Sequence, residues 1–229
     1  MQPDRFPGSI VMRHPCMENE TLVIHCIRHG QSVANAGGAS SDTASIPLTE
    51  LGLEQARAVR ERLKNASPDL FICSPHVRAR QTAEPTLQSF PSVPVETWPI
   101  EEFSLLAHRW ANTTKEQRRP WVQEYWNRAD PHFIDGEGAE SFAGFIARVR
   151  DALSNFEALH QKSCRSVIAF GHGQFFLAIR WLILKRTGDI TPEAMRDFHD
   201  SFKTDPIANG SGFSAVFNGH GWAVMPETT

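Results

Sequence analysis

The chain has 229 residues, enough to bury a substantial core, and its 41% hydrophobic and 21% charged residues are ordinary for a globular protein. A formal net charge of -3 excludes a global nucleic-acid or anionic-membrane footprint, so any anion site must be local. The four cysteines, Cys16, Cys26, Cys73 and Cys164, lack the paired short spacings of a zinc site and read as reduced thiols of an intracellular protein. Residues 1–20 contain no continuous apolar h-region, and no apolar run approaches the roughly 20 residues of a membrane span. The expectation is a cytoplasmic protein with no nucleic-acid and no membrane partner.

Residues 1–20 read as an irregular arm. Residues 21–28 (TLVIHCIR) form a short β-branched apolar run closed at Gly30, a buried strand and a sharp turn. From Thr49, placed to cap, Leu53, Ala56, Val59 and Leu63 recur at helical spacing. Residues 69–73 (DLFIC) are a second buried strand ending at Ser74-Pro75, residues 76–89 a helix, and residues 93–97 a short third strand. Residues 103–138 are the least regular part, where Pro120 should break or restart the helical pattern of residues 114–128. Phe142, Phe145, Val149, Leu153 and Phe156 mark one face of an amphipathic helix over 141–160. Residues 166–170 (SVIAF) are a further buried strand, followed by Gly171-His172-Gly173 and a helical stretch to Lys185. Residues 215–217 and 222–224, separated by Asn218-Gly219-His220-Gly221, predict a closing hairpin. Strands alternating with helices predict one α/β sandwich around a largely parallel sheet.

Two segments share a design of apolar strand, then histidine beside glycine, then helix: Arg28-His29-Gly30 and Gly171-His172-Gly173. In open α/β sheets ligands bind beyond the carboxyl ends of the strands. A helix start just downstream would add N–H groups and a favourable dipole for an anion. Each histidine taken alone also reads as an ordinary loop residue.

The string Arg28-His29-Gly30-Gln31-Ser32, followed by Asn35, resembles the signature of the histidine phosphatase superfamily, phosphoglycerate mutase-like branch. The resemblance continues in order through Pro47-Leu48-Thr49-Glu50-Leu51-Gly52, Ser74-Pro75, Arg78-Ala79, Gln81-Thr82-Ala83, Glu140-Ser141 with Arg148, and Gly171-His172-Gly173. It implies a phosphoglycerate mutase-like three-layer sandwich over 21–229, with residues 103–138 as a cap or insertion over the active site. It also implies a metal-independent phosphatase that takes phosphate from a small phosphomonoester onto His29. Arg28, Arg78 and His172 would grip the phosphoryl oxygens, and Asn35 would either contact the phosphate or cap its loop. No cofactor and no metal is implied.

Phosphoryl transfer spreads negative charge over equatorial oxygens, so fixed cationic donors are its main need, and arginine's planar fork suits them. The attacking imidazole must be neutral at one nitrogen, which a neighbouring Arg28 would favour. A carboxyl must protonate the leaving alkoxide and later accept a proton from water. The family's apolar-x-Glu pattern selects Glu102, yet the chain continues Phe103-Ser104-Leu105-Leu106 without the usual glycine, which leaves Glu101 open. Within 103–138, Arg109, Trp110 and Trp121 are candidates for a substrate wall, and packing of the aromatics is the plain alternative.

Competing chemistries lack their signatures. A cysteine phosphatase needs arginine six residues after its cysteine, where Ala79 follows Cys73, and neither a P-loop nor an H-E-x-x-H helix occurs. His25 reads as a core histidine, and Arg60 and Arg80 as solvated helix charges. Mutase-type phosphoryl transfer and a non-catalytic binding module on the same scaffold remain as alternatives. The partners expected are a small phosphate ester and, for assembly, a second copy in a homodimer.

Overall fold

The computed structural model describes residues 21–39, 42–186 and 188–225. The arm expected over 1–20 lies outside them. In chain order the elements are β1 (Leu22–Arg28), α1 (Glu50–Leu63), β2 (Leu70–Cys73), α2 (Val77–Ser89), β3 (Val95–Thr97), α3 (Lys115–Arg128), α4 (Phe142–Gln161), β4 (Ser166–Gly171), α5 (Gly173–Lys185), α6 (Pro192–Thr204), β5 (Gly212–Phe217) and β6 (Trp222–Met225).

The strands form one sheet in the order β3-β2-β4-β1-β5-β6. The first four run parallel, whereas β5 is antiparallel to both of its neighbours. Strand side chains alternate between faces, and here both faces are apolar. Leu70, Ile72, Val167 and Ala169 point into one core, while Phe71, Cys73, Ile168 and Phe170 point into another. The second core is small and closed by Val59 and Leu63 of α1 with Ala79 and Ala83 of α2. The first is large and takes Tyr125 and Trp126 of α3, Phe142, Phe145 and Phe156 of α4, and Met195 and Phe198 of α6. The result is the expected three-layer α/β sandwich.

Three local readings are revised. The helix α6 was not anticipated, although Thr191 accepts from the Ala194 N–H and Pro192 occupies the first turn, a clear start signal. Pro120 does not break α3, because a reciprocal Thr114–Gln117 capping box secures the helix start. The proline then removes one N–H in an exposed second turn, where water can serve the freed carbonyl. Finally, α1 begins about twenty residues after His29, so no helix starts directly behind that histidine.

No helix among the described residues is long and apolar enough to cross a membrane. Cys26, Cys73 and Cys164 are free thiols, and burial pushes Cys73 up to about 12. Phe198 is fully buried against Phe142, Phe145, Trp126 and Trp181 and ties α6 to the large core. Phe198→Ala is expected to lower unfolding free energy by about 3–5 kcal/mol in urea titration, the usual range for emptying such a site.

Candidate active site

Strand register brings three distant loops to one edge of the sheet. Arg28 pairs with Gly171 at the carboxyl ends of β1 and β4, so His29 and His172 leave the sheet side by side. The His29 N–H donates to the Gly171 carbonyl (2.9 Å), and the Ser74 N–H donates to the Phe170 carbonyl (2.9 Å). The second bond places Ser74, His76 and the start of α2 with Arg78 beside the two histidines.

His29 is held in one tautomer. Its Nδ1–H donates to the Gly30 carbonyl (2.7 Å), which leaves the Nε2 lone pair to accept from Arg78 Nε (3.2 Å). Burial, with Arg78 next in effect, lowers its pKa to about 3. The influence of Arg28, expected from sequence as the neighbouring cation, is weaker than that of Arg78. A neutral imidazole with a directed lone pair is the state a nucleophile requires.

Arg78 is the hub of the site and only 6% exposed. Its Nη1 donates to the Thr43 carbonyl (2.6 Å), and its Nη2 contacts His172 Nδ1 (3.0 Å). Because the guanidinium can only donate, that Nδ1 is an acceptor here, and His172 Nε2–H donates to Ser74 Oγ (2.8 Å). Burial first, then Arg78, keeps His172 well below the usual imidazole range. Arg28 donates from Nη1 to the Ile207 carbonyl (2.6 Å), and its buried Nε has no partner among the described residues. A side chain at Gly173 would begin 3.0 Å from that Nε, so the glycine after His172 makes room for the guanidinium.

The rest of the ordered sequence pattern acts as struts. The Gly30 N–H donates to Thr82 Oγ1 (2.9 Å), whose hydroxyl donates to the Arg78 carbonyl (2.7 Å). Gln55 and Gln81 accept from the Gln31 and Leu48 N–H groups, and Thr49 bonds to Gln31 while capping α1. A Cβ at Gly52 would sit 2.1 Å from the Gln31 carbonyl oxygen, so the start of α1 is pressed directly against the His29 loop. The distant helix thus reaches the loop in space.

His29 and Arg78 open onto a cavity of about 550 Å³, whereas Arg28 and His172 lie beside them and do not line it. His29, Asn35, His76, Arg78 and Glu102 line it, and residues 103–138 supply much of the opposite wall, including Leu105, Leu106, Trp110, Arg118 and Val122. Glu102 Oε1 accepts from the Gln174 N–H (2.9 Å) at the start of α5. Glu101 instead turns to Arg148 (3.6 Å) and does not line the cavity, which separates the two carboxylates that sequence left open. Of the expected wall residues, Trp110 lines the cavity, whereas Trp121 packs against it with tilted rings (4.0 Å between centroids) outside the lining, and Arg109 faces outward onto Asp135 (2.6 Å). Asn35 lines the cavity while its Oδ1 accepts from the Ser32 N–H (3.1 Å), the loop-capping arrangement. Among the described residues no group of three or more His, Cys, Asp or Glu is placed to hold a metal ion.

A histidine locked for attack, two arginines and a second buried histidine at the strand ends match a known pattern, and residues 24–221 fit the family model described as histidine phosphatase superfamily (branch 1). The chain belongs to the histidine phosphatase superfamily, branch 1. The adenosylcobalamin/alpha-ribazole phosphatase of Salmonella typhimurium is 31% identical over 153 residues, 64% of this chain and 71% of that protein. A metal-independent phosphoserine phosphatase of Arabidopsis thaliana is 30% identical over 168 residues, 71% of this chain and 69% of that protein. The alpha-ribazole phosphatase structure from Shigella flexneri superposes with a TM-score of 0.69 at 24% identity, over 91% of this chain and 96% of that one. That last likeness speaks to the fold.

Three contributors to this histidine phosphatase site escaped sequence reasoning. His76 lines the cavity as the residue before α2, with its ring 5.0 Å from that of His172, and burial helps hold its pKa at about 4. Ser74-Pro75 drew attention to that turn, but nothing marked the next residue. Asn209 Nδ2 donates to the His29 carbonyl (2.9 Å), the Gly30 carbonyl (3.2 Å) and Asn35 Oδ1 (3.1 Å). The Ile207 carbonyl anchors Arg28 from the same stretch, between α6 and β5, where no pattern was visible.

Two outcomes follow from this geometry. Below about pH 6.5 the unfolded chain protonates histidines that His29 and His172 leave neutral in the fold. Stability should therefore fall as pH drops from about 6.5 toward 3, by up to about 1.4 kcal/mol per pH unit for each imidazole. Above that window these two residues add no slope. Thermal melts across pH 4–8 read the slope, and nitrogen-15 spectra of His29 should show a neutral Nδ1–H ring at pH 5. Asn209→Ala should reduce kcat/KM on the order of tenfold to a hundredfold while the circular dichroism spectrum is retained, since it releases the loop that aims His29.

Proposed function

We propose that the chain hydrolyses a small phosphomonoester through a phosphohistidine on His29. The observation that carries this reading is the pairing of His29 Nδ1–H with the Gly30 carbonyl, which leaves a neutral Nε2 facing Arg78 at the cavity floor. In the first half-reaction Nε2 attacks phosphorus, the bond from phosphorus to the alcohol oxygen breaks, and Glu102 delivers a proton to that oxygen. In the second, Glu102 takes a proton from water as it attacks phosphorus. The P–N bond then breaks, its electrons return to Nε2, and inorganic phosphate leaves.

Arg28 and Arg78 hold the phosphoryl oxygens and neutralise charge that grows in the transition state. His172 joins them by a tautomer change: as a phosphoryl oxygen takes the place of Arg78 Nη2 at Nδ1, the Ser74 hydroxyl turns to donate to Nε2 and the ring proton moves to Nδ1. Asn35 supplies its amide N–H groups from the side of the loop. Residues 103–138 act as the cap over the alcohol portion. The full set of His29, Arg28, Arg78, His172 and Glu102 is the feature that favours an enzyme over a binding module. The relatives named alpha-ribazole phosphatase and phosphoserine phosphatase support hydrolysis as the reaction.

The purified protein should hydrolyse phenyl phosphate in EDTA and form an acid-labile, base-stable phosphoenzyme on quenching. His29→Ala should abolish the phosphoenzyme and lower kcat by roughly four orders of magnitude or more. Retention of either signal would reject His29 as nucleophile. Glu102→Gln should lower kcat by roughly a hundredfold to ten-thousandfold, the range for a lost general acid, and Glu101→Gln by far less. The reverse order would move the proton-transfer role to Glu101.

A further inference from the structure

The cavity wall opposite the phosphate cradle is mostly apolar, with Ser104, His108 and Arg118 as the polar side chains that residues 103–138 bring to it. Leu105, Leu106, Trp110, Ala111 and Val122 line it. The wall is firmly built. Asp135 accepts from the Ala107 N–H (2.9 Å) and from Trp110 Nε1 (3.1 Å), and Trp121 packs tilted against Trp110 (4.0 Å between ring centroids). At about 550 Å³ the cavity falls within the range of roughly 300–1,000 Å³ typical of pockets for drug-sized ligands, with ample room beyond a phosphoryl group.

Arg118 is the arginine among those polar side chains. Residues 103–138 contain four arginines, and three are neutralised locally: Arg109 by Asp135, Arg119 by Glu116 and Arg128 by Glu124. Arg118 alone has no acidic partner among the described residues. It is half-buried, and its Nη1 is engaged by the Thr113 carbonyl (2.5 Å) and Thr113 Oγ1 (3.1 Å). Its Nε and Nη2 have no acceptor among the described residues. A partly desolvated guanidinium without a counter-charge, at the edge of a ligand cavity, is a site for an anion.

We infer that the substrate is a phosphomonoester whose alcohol portion is a flat apolar body bearing a second anionic group, with the body against Trp110, Leu105 and Val122 and the anion on Arg118. This rests on the phosphatase reading above and adds a specificity element to it. Arg118 does not contact the reacting atoms. Its contribution is to bind the far end of the substrate, and it discriminates between leaving groups through charge.

The test compares kcat/KM for phenyl phosphate, 4-(carboxymethyl)phenyl phosphate and phosphoserine in the full-length protein and in the variants Arg118→Gln, Arg118→Lys and Arg119→Gln. The protein should prefer the carboxylated aryl ester to both other compounds. Arg118→Gln should collapse the ratio of carboxylated to plain aryl ester by about tenfold or more, the worth of one charge-assisted bond, and Arg118→Lys should restore part of it. Arg119→Gln, whose side chain lies outside the cavity, should keep the native ratio. Using the ratio cancels intrinsic differences between the leaving groups. An unchanged ratio in Arg118→Gln overturns the anion site, and a preference for phosphoserine overturns the apolar body. Failure to hydrolyse any of the three would instead reject the phosphatase reading itself.

Discussion

The site depends on one buried cation. Arg78 is enclosed at the start of α2 and reaches His29, His172 and a backbone carbonyl with its three nitrogens. Burial, and next the guanidinium in that position, disfavour charge on either imidazole. The cluster is therefore net positive through its arginines while its histidines stay neutral. Such a cluster is costly to leave without an anion, and on the proposed reading a phosphoryl group relieves the cost while presenting phosphorus to His29 Nε2. Binding and activation of the nucleophile thus share one physical origin.

What holds Arg78 in place is the architecture beneath it. Parallel pairing of β1 with β4 and of β4 with β2 sets three strand ends level, so three loops meet without any of them needing to be long. Thr82, Gln55, Gln81 and Thr49 then fasten the loops to the helices that follow. The chemistry is confined to this floor. The opposite wall comes from residues 103–138, whose irregular backbone is pinned chiefly by Asp135. On the proposed reading, reaction type and substrate choice are carried by different parts of the chain.

That division also decided what could be read before any coordinates. Strands, the helices of residues 50–63 and 142–161, and the positions of His29, Arg78 and His172 follow from apolar periodicity and from an ordered set of polar residues. Those polar residues stand in their places because each makes a specific bond. The substrate wall was far less legible. Arg109 and Arg118 look alike in sequence, and only the position of Asp135 shows which of them is neutralised. Glu101 and Glu102 likewise look alike in sequence and part only in space, where Arg148 captures Glu101 and the Gln174 N–H holds Glu102 at the cavity. His76 and Asn209 act through a turn and a loop, where no period exists to reveal them. Pro120 misled because a cap four residues upstream of the helix's second turn outweighs one missing N–H.

The clamp formed by Asn209 carries a consequence for biogenesis. It joins a residue near the end of the described chain to the loop after the first strand, across some 180 positions. The β1–β4 ladder likewise waits for residues 166–171. During synthesis from the N-terminus, the first strand and its histidine exist long before their neighbours, as an apolar segment with an open edge on both sides. No shorter nascent length assembles this phosphate cradle, so catalytic competence arrives as one of the last events of folding rather than growing with the chain. Turnover is in that sense a report that the whole sheet, through β5, has closed.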